Sequence, residues 1–233
     1  MDAFMQSLQT TRDIKIVIDK ETPQTFFVQQ QLLESTSDYF VKALRNQHLG
    51  EKPEPGVLRF PEDRVSAWKL LLFWMYKHEL PAEVYHHDLI PAVRAWALGD
   101  RLCIPEFQNH IMLVLIWSFR NKVARLRLIK MAVQCSPADS TMRKLMAEEI
   151  VADECNPHSK EELEELDGYN FLAQVIELQG GGAKECYHRG LDDDCDIEDF
   201  DELNEYMVGN GLAEPDKQTK ILRGTEFDEA SSA

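Results

Sequence analysis

Long apolar runs are missing from this 233-residue chain. A bilayer span needs roughly 20 apolar residues in a row, and the longest candidate, residues 65–76 (VSAWKLLLFWMY), is too short. Basic charge is scarce, with 25 Lys and Arg against 41 Asp and Glu. Such a chain repels phosphate backbones, so neither nucleic acid nor an anionic membrane surface is an expected partner. Cysteine is sparse and odd in number: Cys103, Cys135, Cys155, Cys186 and Cys195. That pattern suits free thiols in a cytoplasmic or nuclear protein better than a disulfide framework. The first twenty residues lack the basic stretch and apolar run of a secretory leader. No Ser-His-Asp set, paired carboxylates or Gly-rich phosphate loop stands out, so no catalytic role and no cofactor are expected. No repeat array or second recognition domain is visible either.

The chain does have a helix that is apolar nearly all round. In residues 65–76, Val65, Trp68, Leu71, Leu72 and Met75 make one face, and Leu70, Phe73 and Trp74 cover most of the rest. A helix of that kind is buried. Asp63 is placed to cap its start, and Pro81 to end any helix beyond it. Upstream, DIKIVID at 13–19 alternates as a half-buried strand, with Ile14, Ile16 and Ile18 on one face. A turn at Glu21, Thr22 and Pro23 leads to a second strand over 25–29, and the two suggest a hairpin. One helix is expected from Gln30 to about Arg45, then a Pro- and Gly-rich loop over 48–56 and a third strand over 57–60.

Downstream the pattern is helical. Asp88 is placed to cap a helix through Leu102, and Pro105 opens another. A basic amphipathic helix is expected over 122–133, broken by Ser136 and Pro137, and a further one over 140–152. Residues 160–167 and 170–178 carry weaker helical stripes. Charge is distributed unevenly. Residues 1–152 hold 19 basic and 18 acidic residues, and residues 153–233 hold 6 and 23. From 183 onward the composition resembles disorder, acidic with little to pack. One island interrupts it: Ile197, Phe200, Leu203 and Met207 recur at helix spacing among carboxylates, as in segments that fold onto a partner's groove.

The order of these elements carries a resemblance. A strand, a turn and TFFV precede QQLLESTSDYF, then VLRFPED, then the helix ending FWMY, then AWALGDRLCIPEFQNHIM. This succession resembles the BTB/POZ domain, most closely its fungal type. The features that carry it fall on Ser37 and Phe40, on residues 60–63, on Trp74 and Tyr76, and on Leu98, Asp100, Leu102, Ile104, Pro105 and Phe107. The likeness covers residues 12–118, and more loosely 119–152. It implies an α+β fold: a small β-sheet flanked by a cluster of α-helices, with additional C-terminal helices and an acidic tail. The expected divisions are a BTB/POZ-like domain over 12–118, a helical extension over 119–179, and a largely disordered tail over 180–233.

The function so implied is a non-enzymatic protein–protein interaction module whose partners are proteins, with no metal or cofactor. Family members often homodimerise. Phe4, Met5 and Leu8, with Asp13 and Gln30, are the self-association candidates here. Corepressor-recruiting members pair an Asp of the first strand with a basic residue after the second. Asp13 matches the first, whereas Gln30 supplies no charge. Many animal members dock a cullin scaffold as ubiquitin-ligase substrate adaptors, using a hydrophobic–x–acid motif before the helix that starts here near Asp88. AEVYHHD occupies that place, which makes Val84 and Tyr85 docking candidates beside Ile197, Phe200, Leu203 and Met207.

Other groupings have plainer readings. Cys155 with His158, and Cys186 with His188, have irregular spacing for a zinc site and read as free thiols and solvated imidazoles. His86 and His87 read as loop residues before the Asp88 cap, and Cys103 as an inert core thiol. Lys122, Arg125, Arg127 and Lys130 read as a solvated helix face that touches the chain's own acidic tail. Trp68, Trp74 and Trp96 read as core.

Overall fold

Ile14, Ile16 and Ile18 all point inward from β1 (Asp13–Ile18), where exposed or half-exposed residues alternate with buried ones. That period of two makes one face of the strand a core face. The computed structural model describes residues 12–46, 54–85, 88–121, 124–152, 160–167, 169–180, 203–209 and 211. Strand β2 (Gln24–Gln29) returns antiparallel to β1, with Asp13 opposite Gln29 and Ile18 opposite Gln24. The turn between them is held by Asp19, whose backbone is left-handed at φ 68°. Its carboxylate accepts from the N–H of Glu21 at 2.9 Å and of Thr22 at 3.3 Å. Strand β3 (Val57–Phe60) lies parallel to β1 on its other side, giving the order β2-β1-β3.

Where one helix was expected after β2, the chain forms two, α1 (Gln30–Thr36) and α2 (Asp38–Arg45). Ser37 breaks them with an extended backbone, φ −159° and ψ 139°. Its Oγ accepts from the N–H of Tyr39 and donates to the carbonyl of Leu102, 65 positions away. An N-cap serine satisfies an orphan helix donor, and the distant carbonyl fixes where the break falls.

The apolar stretch forms α3 (Val65–Lys77), which buries Ala67, Trp68, Leu70, Leu71, Leu72, Trp74 and Met75. Phe73 and Tyr76 are left at the surface, 38% and 56% exposed. Asp63 does not cap this helix, whose N-cap position is Arg64. The Asp63 carboxylate is drawn instead to the indole N–H of Trp68 at 2.8 Å and to Arg101 at 2.5 Å. The helix ends before Pro81, at a left-handed His78 whose N–H returns to the Trp74 carbonyl. A 3₁₀ turn, Ala82–Tyr85, leads to α4 (Ile90–Arg101), whose N-cap position is Leu89 rather than the expected Asp88, although Asp88 accepts from the N–H of Ile90.

Helix α5 (Pro105–Asn121) opens on its proline, where a missing N–H costs nothing. Beyond it lie α6 (Leu126–Cys135), α7 (Thr141–Ala152), α8 (Lys160–Asp167) and α9 (Leu172–Gly180). The architecture is mixed α+β, a three-stranded sheet with helices. One hydrophobic core runs from the sheet through α3, α4 and α5 into Leu128, Met142, Leu166 and Phe171, across residue 118. Trp68, Trp74 and Trp96 all lie in it. Among the described residues, no helix is long and apolar enough to cross a membrane.

Cys103 departs from its expected place. It is exposed, in the tight turn between α4 and α5, with φ 54°. Leu102 and Ile104 on either side take the buried positions. A left-handed residue there turns its side chain out while both neighbours turn in.

Candidate functional site

Three places on the surface offer chemistry or contact. The first is the outer face of the sheet. Strand register sets Phe27 of β2, Lys15 of β1 and Val57 of β3 in one row, with Thr25, Val17 and Arg59 in the next. Phe27 is 68% exposed, the most exposed large apolar residue among those described. Val17 and Val57 are half-buried beside it. Among the described residues β1 is central, and β2 and β3 are the outer strands of the sheet.

The structure brings Asp13 and Gln30 to the same end of this sheet, since Asp13 pairs with Gln29. The Gln30 backbone N–H donates to the Arg12 carbonyl, and its side-chain amide to Glu34 at 2.8 Å. That amide is spent on its own helix. Phe4, Met5, Leu8, Ile197 and Phe200 lie outside the described residues, as do His86, His87, Lys122 and both Cys–His pairs. Val84 and Tyr85, read as docking residues, face inward instead, at 7% and 4% exposure. The Tyr85 ring meets Trp117 edge-on at 5.5 Å. The 3₁₀ turn that carries them packs on α5, and two large side chains after Leu80 are what the core needs there. Lys130 of the basic helix face pairs with Glu165 of α8.

The second place is a cleft of about 570 Å³ between the β3–α3 loop, α4 and the end of α6. Asp63, Arg64, Arg94, Asp100, Arg101 and Cys135 are among its lining residues. Its charges are mixed, and Asp63 is already paired with Arg101. Burial pushes the Cys135 thiol up to about 11, so it stays protonated at neutral pH and is no activated nucleophile. Among the described residues, no group of three or more His, Cys, Asp or Glu side chains is arranged to hold a metal ion.

The third place is where residues 203–211 lie against α5 and α7. Leu203 and Met207 are buried there, at 3% and 7% exposure, with Tyr206 at 5%. Of the island's four apolar residues, Leu203 and Met207 are therefore turned onto the chain. Asn109 of α5, itself buried, accepts from the Val208 N–H at 2.8 Å through Oδ1. Its Nδ2 donates to the carbonyls of Val208 at 3.2 Å and Gly211 at 3.3 Å. Tyr206 donates its hydroxyl proton to Glu148 at 2.5 Å. Lys144 of α7 pairs with Glu205 at 2.6 Å and sits 5.0 Å above the Tyr206 ring.

Gly209 and Gly211 are left-handed, at φ 66° and 76°. At Gly211 the left-handed backbone favours glycine, and a Cβ there would lie 2.7 Å from the end of the Asn204 side chain. Asn109 was not singled out by sequence reasoning. A polar residue on an otherwise apolar helix face was its one visible mark.

Magnitudes decide how firmly this segment is held. Burying three such side chains is worth about 1.5–3 kcal/mol each. Ordering the backbone of nine residues costs about 1–2 kcal/mol per residue. Burial therefore offsets only part of the ordering cost, and the Asn109 hydrogen bonds and the Lys144 contacts are needed to hold the segment.

No family model matches the chain, and no curated protein matches it.

Proposed function

We propose that the chain is a non-enzymatic protein–protein interaction module of the BTB/POZ type that associates with a second copy of itself. The succession of strand, strand, two helices, strand and buried helix is the order on which the family resemblance rests. The observation that carries the self-association reading is Phe27, exposed on the edge strand of a three-stranded sheet with Val17 and Val57 beside it. A large aromatic side chain so exposed is costly to leave in water and serves as an anchor when a second surface covers it. The occupant best matched to it is the same face of another copy, since a two-fold contact sets each Phe27 against its partner's sheet.

The test is the solution mass of the full chain by light scattering, from low to high micromolar concentration. The expected result is a mass of two chains at the upper end. Phe27→Glu, a surface change that leaves the core intact, is expected to restore the monomer. A wild-type chain that stays monomeric throughout overturns the self-association reading, and so does a dimer indifferent to Phe27→Glu.

A further inference from the structure

The furrow between α5 and α7 has the parts of a peptide-docking groove, and its occupant is already in it. We propose that this furrow binds short acidic peptides of the pattern aliphatic–x–x–Tyr–Met–aliphatic–Gly. Residues 203–211 of this chain then sit in it as a tethered plug that an incoming peptide displaces.

Asn109 is the central observation. It is a buried amide on α5, yet the partners it reaches here are the backbone atoms of Val208 and Gly211. A side chain that reads both the N–H and the carbonyl of one residue recognises backbone, here the turn that follows Met207. Selectivity comes from the pockets beside it. Leu203 and Met207 enter the apolar core, and Tyr206 places an apolar ring inward and its hydroxyl on Glu148. Lys144 selects acidity, because it meets Glu205 and lies over the Tyr206 ring. Gly209 rests on Pro105 at the first turn of α5, where a Cβ would meet the proline ring at 3.4 Å. The peptide must therefore turn away at that point.

Two features make the plug exchangeable. It follows Gly180 after 22 residues of sequence. Its hold on the domain is weak, because burying Leu203, Tyr206 and Met207 offsets only part of the cost of ordering the segment. A tethered segment competes at an effective concentration that reaches the millimolar range for short flexible linkers. An outside peptide of equal affinity therefore binds poorly until the plug is weakened. The furrow lies on α5 and α7, away from the sheet face invoked for self-association, so either site can fail without the other.

The experiment uses the full chain and a fluorescein-labelled peptide of residues 200–213, read by fluorescence anisotropy. In the plug-release variant Leu203→Asp/Met207→Asp, the peptide is expected to bind at least tenfold more tightly than to wild type. Adding the exposed change Lys144→Glu to that variant is expected to weaken binding at least threefold. A folded release variant that does not bind, or equal binding to both chains, overturns the proposal. Hydrogen exchange on the wild-type chain decides the matter if the release variant fails to fold. Amides of 203–211 should exchange at least tenfold faster than those of residues 109–116, and faster still with excess unlabelled peptide. Exchange at the same rate as α5 would show that the segment is a fixed part of the core.

Discussion

The indole N–H of Trp74 donates to Nδ1 of His110 at 2.7 Å, with both side chains buried. The bond ties the apolar helix α3 to α5 across 36 positions of sequence. A ring that accepts at Nδ1 carries no proton on that nitrogen, so the pair also sets the imidazole's tautomer. Among apolar contacts that constrain orientation only through shape, this is a directional link between two core helices.

It has a measurable consequence. His110→Phe leaves the Trp74 N–H buried without an acceptor, which costs on the order of 1–3 kcal/mol. The double variant His110→Phe/Trp74→Phe removes both partners, so its loss should be smaller than the sum of the two single losses. Urea unfolding of the four proteins measures this. Strictly additive losses would mean that the bond does not couple the helices.

Arg143 is a buried cation, 7% exposed, and its fork is spent on carbonyls. It donates to Val133 at 2.9 Å and to Ser136 at 3.3 Å, both at the end of α6, and to Tyr169 at 2.8 Å. A guanidinium at a helix C-terminus meets both the unpaired carbonyls and the negative end of the dipole. Arg143→Met is expected to destabilise by about 3 kcal/mol or more. Arg143→Lys should recover little of that, because a single ammonium cannot span three divergent acceptors. Full recovery by lysine in a thermal melt would count against this geometry.

Asp19 governs an acid dependence. Hydrogen bonds from the backbone N–H of Glu21, and more weakly of Thr22, hold its carboxyl below the ordinary 3.8, aided by the Thr22 hydroxyl and Arg64. A depressed folded value means that the ionised group stabilises the fold above 3.8 and that this is lost as pH falls through the lower folded value. Asp19→Asn should therefore be less stable than wild type by a constant margin between about pH 7 and pH 5. The margin should shrink below 3.8. Paired urea titrations across that range test the sign, and a margin that grows with acid would reverse it.

The two described thiols should separate cleanly in reactivity. Cys103 is exposed in its turn, whereas Cys135 is partly covered and pushed up from 9.0 to about 11. That shift lowers the Cys135 thiolate fraction at neutral pH about a hundredfold. Pulsed alkylation read by peptide mass spectrometry is expected to modify Cys103 at least tenfold faster. Equal rates would place Cys135 in contact with solvent.

Much of this fold is legible locally. The alternation of Ile14, Ile16 and Ile18, the all-round apolar α3, the Asp88 contact to the Ile90 N–H and the start of α5 at Pro105 follow from residues a few positions apart. The departures share one cause. Ser37 breaks a helix because Leu102 waits for its hydroxyl. Asp63 leaves its capping role because Trp68 and Arg101 compete for it. Val84 and Tyr85 turn inward because α5 offers Trp117.

The sequence by itself determined the period and polarity of each element, since helix and strand preferences are settled by near neighbours. It also marked the acidic island as amphipathic, without saying what its apolar side would meet. Only the tertiary structure decided that, by bringing Asn109 to Val208 across 99 positions and Lys144 to Glu205 across 61. Such pairs form between groups whose distance is set by every turn that lies between them, and no local pattern carries that information.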